Sequence, residues 1–413
     1  MTLPIGLLTR MALRTLARRP IRTSITVAVA GISMFLTLLF MGLTEGSHVQ
    51  MVNMAVRLQA GHVVIQAKGF SDERSLDTRI VNPDEVFSRM GVLPAGTRTV
   101  SRILTTGLLR SAETSVMIDP LMGVDPKEEA QISQVPEKIL RGTWLSSEQP
   151  GLLIGEKAAR LLQVDVGDRV ILSCSGISQK VEERIEIVGI FRMGGETDRS
   201  LAIMNRNFAA RMLGLNNAVH QIAVFLSPHE NAKTIRNHLR HRLSGLPVDV
   251  LHWQEALPVL AQLLKLDSAS MYILLLVIFG IVSAGILNSV LMSVLERTRE
   301  FGILRSLGLS PRLLFLQVML ENLFLGLFSV VVGCATGLPV VAYLARYGLD
   351  ILAFTSGEVM DVEGVAFVDR LYPVLDASDI ALTATWVVAI ALVSAIFPAL
   401  RAASIRPVTA LRS

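Results

Sequence analysis

Met271-Tyr-Ile-Leu-Leu-Leu-Val-Ile-Phe-Gly-Ile-Val-Ser-Ala-Gly-Ile-Leu-Asn-Ser-Val-Leu-Met-Ser-Val-Leu295 runs for 25 residues without a charge. As a helix rising 1.5 Å per residue it reaches roughly 38 Å, enough to cross the ~30 Å hydrocarbon core of a bilayer. Three more charge-free blocks of similar length follow the same pattern: Ser24–Thr44, Leu323–Leu344 and Ile380–Leu400. All 39 Lys+Arg and all 35 Asp+Glu lie outside these four blocks. The whole chain is 51% apolar and 18% charged, but without the blocks its charge content approaches the ~25% of ordinary soluble domains. The composition therefore predicts a soluble-type domain spliced into a four-span membrane protein. It excludes a soluble enzyme, a secreted disulfide scaffold and a disordered chain.

The two cysteines agree with this reading. Cys174 lies in the polar region and Cys334 inside an apolar block, so neither a disulfide framework nor a CxxC metal site is expected. A net charge of +4 and a pI near 9.3 could suggest nucleic acid, but the arginines flank the apolar blocks instead. Arg10, Arg14, Arg18, Arg19 and Arg22 precede the first. Arg297, Arg299, Arg305 and Arg312 separate the second and third, and Arg401, Arg406 and Arg412 follow the fourth. Between the third and fourth, Leu349–Asp379 carries Arg370 against seven acids. The positive-inside rule then places both termini and the 296–313 connection in the cytoplasm. The first block is too long for a signal-peptide core and lacks a small-residue cleavage site, so a retained anchor is expected.

These boundaries divide the chain into a cytoplasmic amphipathic N-terminal helix (1–23), a first span (24–44) and an outward domain (45–270). A second span (271–295), a cytoplasmic coupling segment (296–313) and a third span (314–345) follow. An outward loop (346–379), a fourth span (380–400) and a cytoplasmic tail (401–413) complete the chain. The outward segment has room for two subdomains. His62–Gln66 alternates polar and apolar residues, and Arg169–Ser173, Arg184–Phe191 and Gln221–Leu226 are β-branched and strand-like. Glu156–Gln163 and Ala232–Leu243 have helical spacing. An α+β domain follows.

No residues suited to catalysis stand out. Gly151–Lys157 (GLLIGEK) has the wrong spacing for a phosphate-binding loop, and no HExxH, nucleophile elbow or EF-hand loop occurs. His238 and His241 fall three apart on a helix, but with only arginines nearby they suit a surface better than a metal. Three membrane-linked features say more. Arg10, Arg14 and Arg18 form an i, i+4 row beside Leu7, Leu8, Met11 and Ala12, which suits a helix lying on the inner interface with Arg19 at its end; a positive flank without a defined helix fits equally. In the connection Glu296–Gly308, charges at Glu296, Arg297, Arg299, Glu300 and Arg305 surround Phe301, Ile303, Leu304 and Leu307, with Gly302 inside and Gly308 and Pro311 as stops. Such a segment suits docking into a groove of a partner. Gly333 and Gly337 form a GxxxG pair that permits close helix packing, and Glu321 is expected at the membrane edge within a local polar network.

Ile286-Leu-Asn-Ser-Val-Leu-Met-Ser-Val-Leu-Glu-Arg-Thr-Arg-Glu-Phe-Gly-Ile-Leu-Arg-Ser-Leu-Gly308, continuing to Glu321, closely resembles the second span and coupling segment of the FtsX/MacB/LolC–LolE-like ABC transporter permeases. Ala12–Arg19, Gly61–Gln66, Val164–Val170, Val188–Phe191, Asp198–Ser200 and Pro407–Arg412 add to the resemblance. It implies a MacB-like periplasmic domain between spans one and two, in a multi-pass protein of the bacterial inner membrane. It implies cytoplasmic ABC ATPase subunits on a separate chain that hold the ATP and Mg, with no cofactor on this one. It also implies a second permease subunit, identical or paralogous, contact with membrane lipid, and a periplasmic carrier or adaptor. Unlike MacB, this chain has no nucleotide-binding domain, and its Leu172–Arg184 stretch is short for the carrier-recruiting hairpin of LolC-type permeases. The resemblance implies mechanical movement of a lipoprotein or other amphiphile. Export of a small toxic molecule or peptide through an adaptor, and activation of a periplasmic hydrolase, are the alternatives.

Overall fold

The computed structural model describes residues 5–71, 75–177, 179–227, 230–350, 361–362, 365–366 and 370–405. Residues 351–360, 363–364 and 367–369 of the loop read over 346–379 lie outside them, as does most of the tail 401–413, including Arg406, Arg412 and the Pro407–Arg412 motif. The chain divides into two compact units. One comprises residues 1–48, 265–349 and 370–413, and the other residues 49–264 and 350–369.

Four long helices carry the charge-free blocks: Pro20–Ala55, Pro258–Glu296, Pro311–Tyr347 and Ala377–Ala403. Each is longer than its apolar block, at 36, 39, 37 and 27 residues. Charge sets where a span can sit in lipid, but backbone hydrogen bonding continues until a breaker arrives. Here the breakers are Gly61, with φ 78° and ψ 172°, after the first helix and Gly348, with φ 73° and ψ 152°, after the third, a positive-φ extended backbone that only glycine adopts without cost. Asp376 and Asp379 close a reciprocal capping box at the start of the fourth, which satisfies two of its free N–H groups. Two short helices complete this unit, Ile5–Arg18 and Thr298–Ser306. Its buried core joins Ala30, Val290, Val294, Phe301, Leu314 and Ala399.

The second unit is built on a ten-stranded, mostly antiparallel sheet. One end runs Val248–His252, Val63–Ala67, Gln221–Phe225, then Arg98–Arg110. The other continues through Ser115–Val124, Ala202–Asn205, Leu152–Gly155, Lys180–Phe191 and Ile139–Gly142. The long strand Arg98–Arg110 belongs to both ends: Arg98–Arg102 pairs with Gln221–Phe225, and Gly107–Arg110 with Arg169–Ser175. The two largest apolar clusters of this unit lie around Ile65, Ile222 and Leu239 and around Ile118, Leu172 and Ile187. The strands Arg98–Arg110 and Ser115–Val124 have no counterpart in the sequence reading. Their Ser, Thr, Arg and Asp residues interrupt the apolar alternation, because the first strand buries polar groups that its neighbours satisfy. Arg169–Ser175 and Lys180–Phe191 pair directly up to Ser175 and Lys180, so only residues 176–179 connect them.

Candidate coupling site

The second spanning helix ends at Glu296, and Arg297 (φ −101°, ψ 13°) turns the chain into the helix Thr298–Ser306. Gly308, with φ 91°, then closes it: its N–H donates to the Arg305 carbonyl and that of Leu309 to the Leu304 carbonyl. Pro311 opens the next span at its first helical position, where a missing N–H costs nothing.

The apolar residues of this segment do not form one outward face. Phe301 is fully buried and Gly302 is buried with it, while Leu304 packs against the same core. Arg297 is also buried. It donates to both carboxylate oxygens of Glu321, and more weakly to Thr15 Oγ1 at 3.4 Å. Its guanidinium lies 4.8 Å from the centre of the Phe301 ring. The expectation that Arg297, Phe301, Gly302 and Leu304 face a partner is corrected for this reason. A nine-residue helix on a membrane protein must bury one side against its own spans, and these four residues supply it. What remains outside is Arg299, Glu300, Ile303 and Leu307, with Ile303 at 44% and Leu307 at 75% exposure. Arg305 is half-buried, its Nη1 3.4 Å from the Leu309 carbonyl. Glu296 stays exposed and pairs with Arg19 and Arg22.

The helix Ile5–Arg18 turns Arg10, Arg14 and Arg18 to the outside, with Arg19 just beyond it also exposed. Leu8 and Ala12 are buried within the chain. They are therefore corrected from lipid-facing to protein-facing, since the helix packs along Pro311–Tyr347; the side chain of Leu7 lies outside the described residues. Gly333 and Gly337 sit against the first spanning helix. A Cβ on Gly333 would collide with Met34 and come 2.9 Å from the Gly31 carbonyl, whereas one on Gly337 would meet Leu38 at 3.3 Å. Glu321 and Thr15 were not singled out as partners of Arg297. The only hint in the sequence is a carboxylate at an otherwise costly depth, which calls for a cation.

Four membrane-crossing helices, with a sheet domain inserted between the first and second and a short helix tucked between the second and third, define a multi-pass permease. The family model described as MacB-like periplasmic core domain matches residues 23–242, and that described as FtsX-like permease C-terminal matches residues 272–407. The lipoprotein-releasing system transmembrane protein LolC of Xylella fastidiosa is 28% identical over 71% of this chain and 72% of its own length. LolC of Neisseria meningitidis is 24% identical over 94% of this chain and 93% of its own. LolE of Haemophilus influenzae is 23% identical over 70% and 71%. The chain belongs to the FtsX/MacB/LolC–LolE family of ABC transporter permeases, with a MacB-like periplasmic domain between its first two spans.

Proposed function

We propose that this chain is a permease subunit of a lipoprotein-releasing ABC transporter, with both termini in the cytoplasm. It converts movement of a separate ATPase into movement of its periplasmic domain, and so extracts a lipoprotein or another amphiphile from the outer leaflet. The observation that carries this reading is similarity to LolC of Neisseria meningitidis along nearly the whole of both chains. The exposed remainder of the short helix, Arg299, Glu300, Ile303 and Leu307, supplies the ATPase contact, and ATP and Mg are bound by that partner. A second permease subunit, identical or paralogous, completes the transporter.

Reconstitution tests the reading. The chain alone in proteoliposomes should hydrolyse no ATP above background. With its ATPase and second permease it should release a fluorescent triacylated lipopeptide to an acceptor in an ATP-dependent manner. Turnover by the isolated chain, or ATP hydrolysis by the complex without release, overturns it. Orientation is tested separately in intact spheroplasts: Lys233→Cys should react with a membrane-impermeant maleimide and Arg299→Cys should not.

A further inference from the structure

The first spanning helix does not simply fray where it meets the sheet. Beyond Ala55 its last turn, Val56–Ala60, widens into a π-helix, a form found mostly as single turns and frequently at functional sites. The carbonyls of a helix's last turn have no partner within the helix, yet here all five are taken. Gly61 N–H donates to the Val56 carbonyl at 2.6 Å. Arg102 donates to the Arg57 and Leu58 carbonyls at 2.9 and 3.1 Å. Gln221 Nε2 donates to the Gln59 and Ala60 carbonyls at 2.9 and 3.2 Å.

Both donors come from paired strands. Arg102 lies on Arg98–Arg110 and Gln221 on Gln221–Phe225, and they face each other in register. Arg102 is fully buried, and its Nε and Nη2 donate to the two carboxylate oxygens of buried Glu129 at 3.1 and 2.6 Å. A planar fork held by a carboxylate on one side presents its remaining N–H groups in a fixed direction. Gly61 lets the chain pass close to the sheet: a Cβ there would come within 3.0 Å of the Val224 nitrogen.

A buried cation, a buried anion and a buried amide are a costly way to end a helix whose sheet could have been covered by leucines. The arrangement is directional, and it joins the end of a membrane-crossing helix to two central strands. We propose that Arg102 and Gln221, with Glu129 holding Arg102, form a latch that makes the last turn of the first spanning helix and the sheet one mechanical body. They are positioning residues: movement of that helix reaches the periplasmic domain through the four carbonyls they hold. The latch as a rigid joint stands on its geometry alone, while its use in cargo movement rests on the transporter reading above.

The test uses the full chain in its reconstituted complex, with Cys174→Ala and Cys334→Ala as background and spin labels at Asn53→Cys and Glu183→Cys. Gln221→Met removes two donors at nearly constant volume. The pair Arg102→Leu/Glu129→Met removes the other two without stranding a buried charge. The latched protein should give one narrow distance distribution between the labels, unchanged by ATP. Both variants should broaden it and lower lipopeptide release at least tenfold, while ATP hydrolysis stays within twofold of the parent. A domain that is merely less stable would melt earlier yet keep the narrow distribution and its release per folded complex; that result overturns the latch, as does wild-type release by both variants. If the parent hydrolyses ATP but releases no lipopeptide, the transporter reading fails, and the label distances still decide the joint.

Discussion

Arg297 Nη1 donates to both carboxylate oxygens of Glu321, at 3.1 and 2.9 Å, with both side chains almost wholly buried. The pair joins the residue just after the second spanning helix to one about three turns inside the third. Gln317 Nε2 donates to the same carboxylate at 3.3 Å, and Thr15 of the N-terminal helix reaches Arg297. Three segments distant in sequence therefore meet at one charge pair directly beneath Phe301. These contacts tie the start of the helix Thr298–Ser306 to the third spanning helix and to the N-terminal helix.

Breaking that pair from one side should be costly. Arg297→Met leaves the buried Glu321 carboxylate without its cation, and about 3–5 kcal/mol of stability should be lost, whereas Glu321→Leu should cost less, because Arg297 Nε keeps its 3.1 Å pair with exposed Glu300. The double substitution should cost much less than the two single ones together, because no charge is then stranded. Thermal unfolding of the detergent-solubilised chain, arranged as a double-mutant cycle, measures the coupling. Strict additivity would show that the two side chains act independently.

The division of the short helix into an inner and an outer side gives a second contrast. Leu307→Asp and Ile303→Asp change exposed side chains, so folding should be retained while ATPase binding weakens by tenfold or more, about 1.4 kcal/mol each. Phe301→Ala removes a fully buried ring, and its main effect should be a loss of roughly 3–5 kcal/mol in stability. Binding isotherms for the ATPase and unfolding curves, collected on the same preparations, separate the two. Equal affinity loss in all three with unchanged stability would mean that the helix presents Phe301 to its partner.

The spans were legible because lipid tolerates no charge, so Met271–Leu295 and its three counterparts announce themselves. The inner and outer sides of Thr298–Ser306 were not. Phe301, Ile303, Leu304 and Leu307 are all apolar, and only the position of Glu321 and the core around Leu314 decides which of them turn inward. The same holds for Arg102. A lone arginine in a strand looks like a surface residue until the carbonyls of Arg57 and Leu58 and the carboxylate of Glu129 come together around it from two other parts of the chain. Local pattern reports the solvent each segment expects, whereas the partners of a buried charge are set by tertiary folding.

His220 makes the stability of the sheet domain dependent on pH. It is fully buried and stacked on Phe70, with ring centres 5.4 Å apart, and its Nδ1 accepts the Leu104 N–H at 3.2 Å. Burial, with a smaller push from Arg79, lowers its pKa from 6.5 to about 4. The folded-state value lies below the unfolded one, so the unfolded chain takes up the proton first as pH falls. The stabilisation is complete above pH 6.5 and is lost progressively down to about 4, by roughly 2–3 kcal/mol at 1.36 kcal/mol per pH unit. His220→Asn keeps an acceptor near Leu104 without the titration, and its stability should be flatter across that window. Denaturant unfolding followed by tryptophan fluorescence between pH 4 and 7 checks both; an equally steep loss in the variant assigns the dependence to other groups.

The two glycines of the third spanning helix should behave differently, because the first spanning helix approaches them unequally. At Gly333 an added Cβ would overlap Met34 and press on the Gly31 carbonyl, a backbone atom that cannot swing aside. At Gly337 the nearest atom is the end of the Leu38 side chain at 3.3 Å, which a small rotation can relieve. Gly333→Ala should therefore force the two helices apart and cost about 1–3 kcal/mol, with lower yield of folded chain and a lower melting temperature in detergent. Gly337→Ala should fall within about 0.5 kcal/mol of the parent, since relief of the backbone entropy carried by glycine offsets the slight crowding. Met34→Ala should rescue Gly333→Ala only slightly, because it removes the overlapping Cγ but keeps the Cβ, the nearest atom, and leaves the Gly31 carbonyl in place. If both glycines tolerate alanine alike, the helices are not in the close contact that Gly31 and Gly333 make, and the small-residue pair has no role in holding these two spans together.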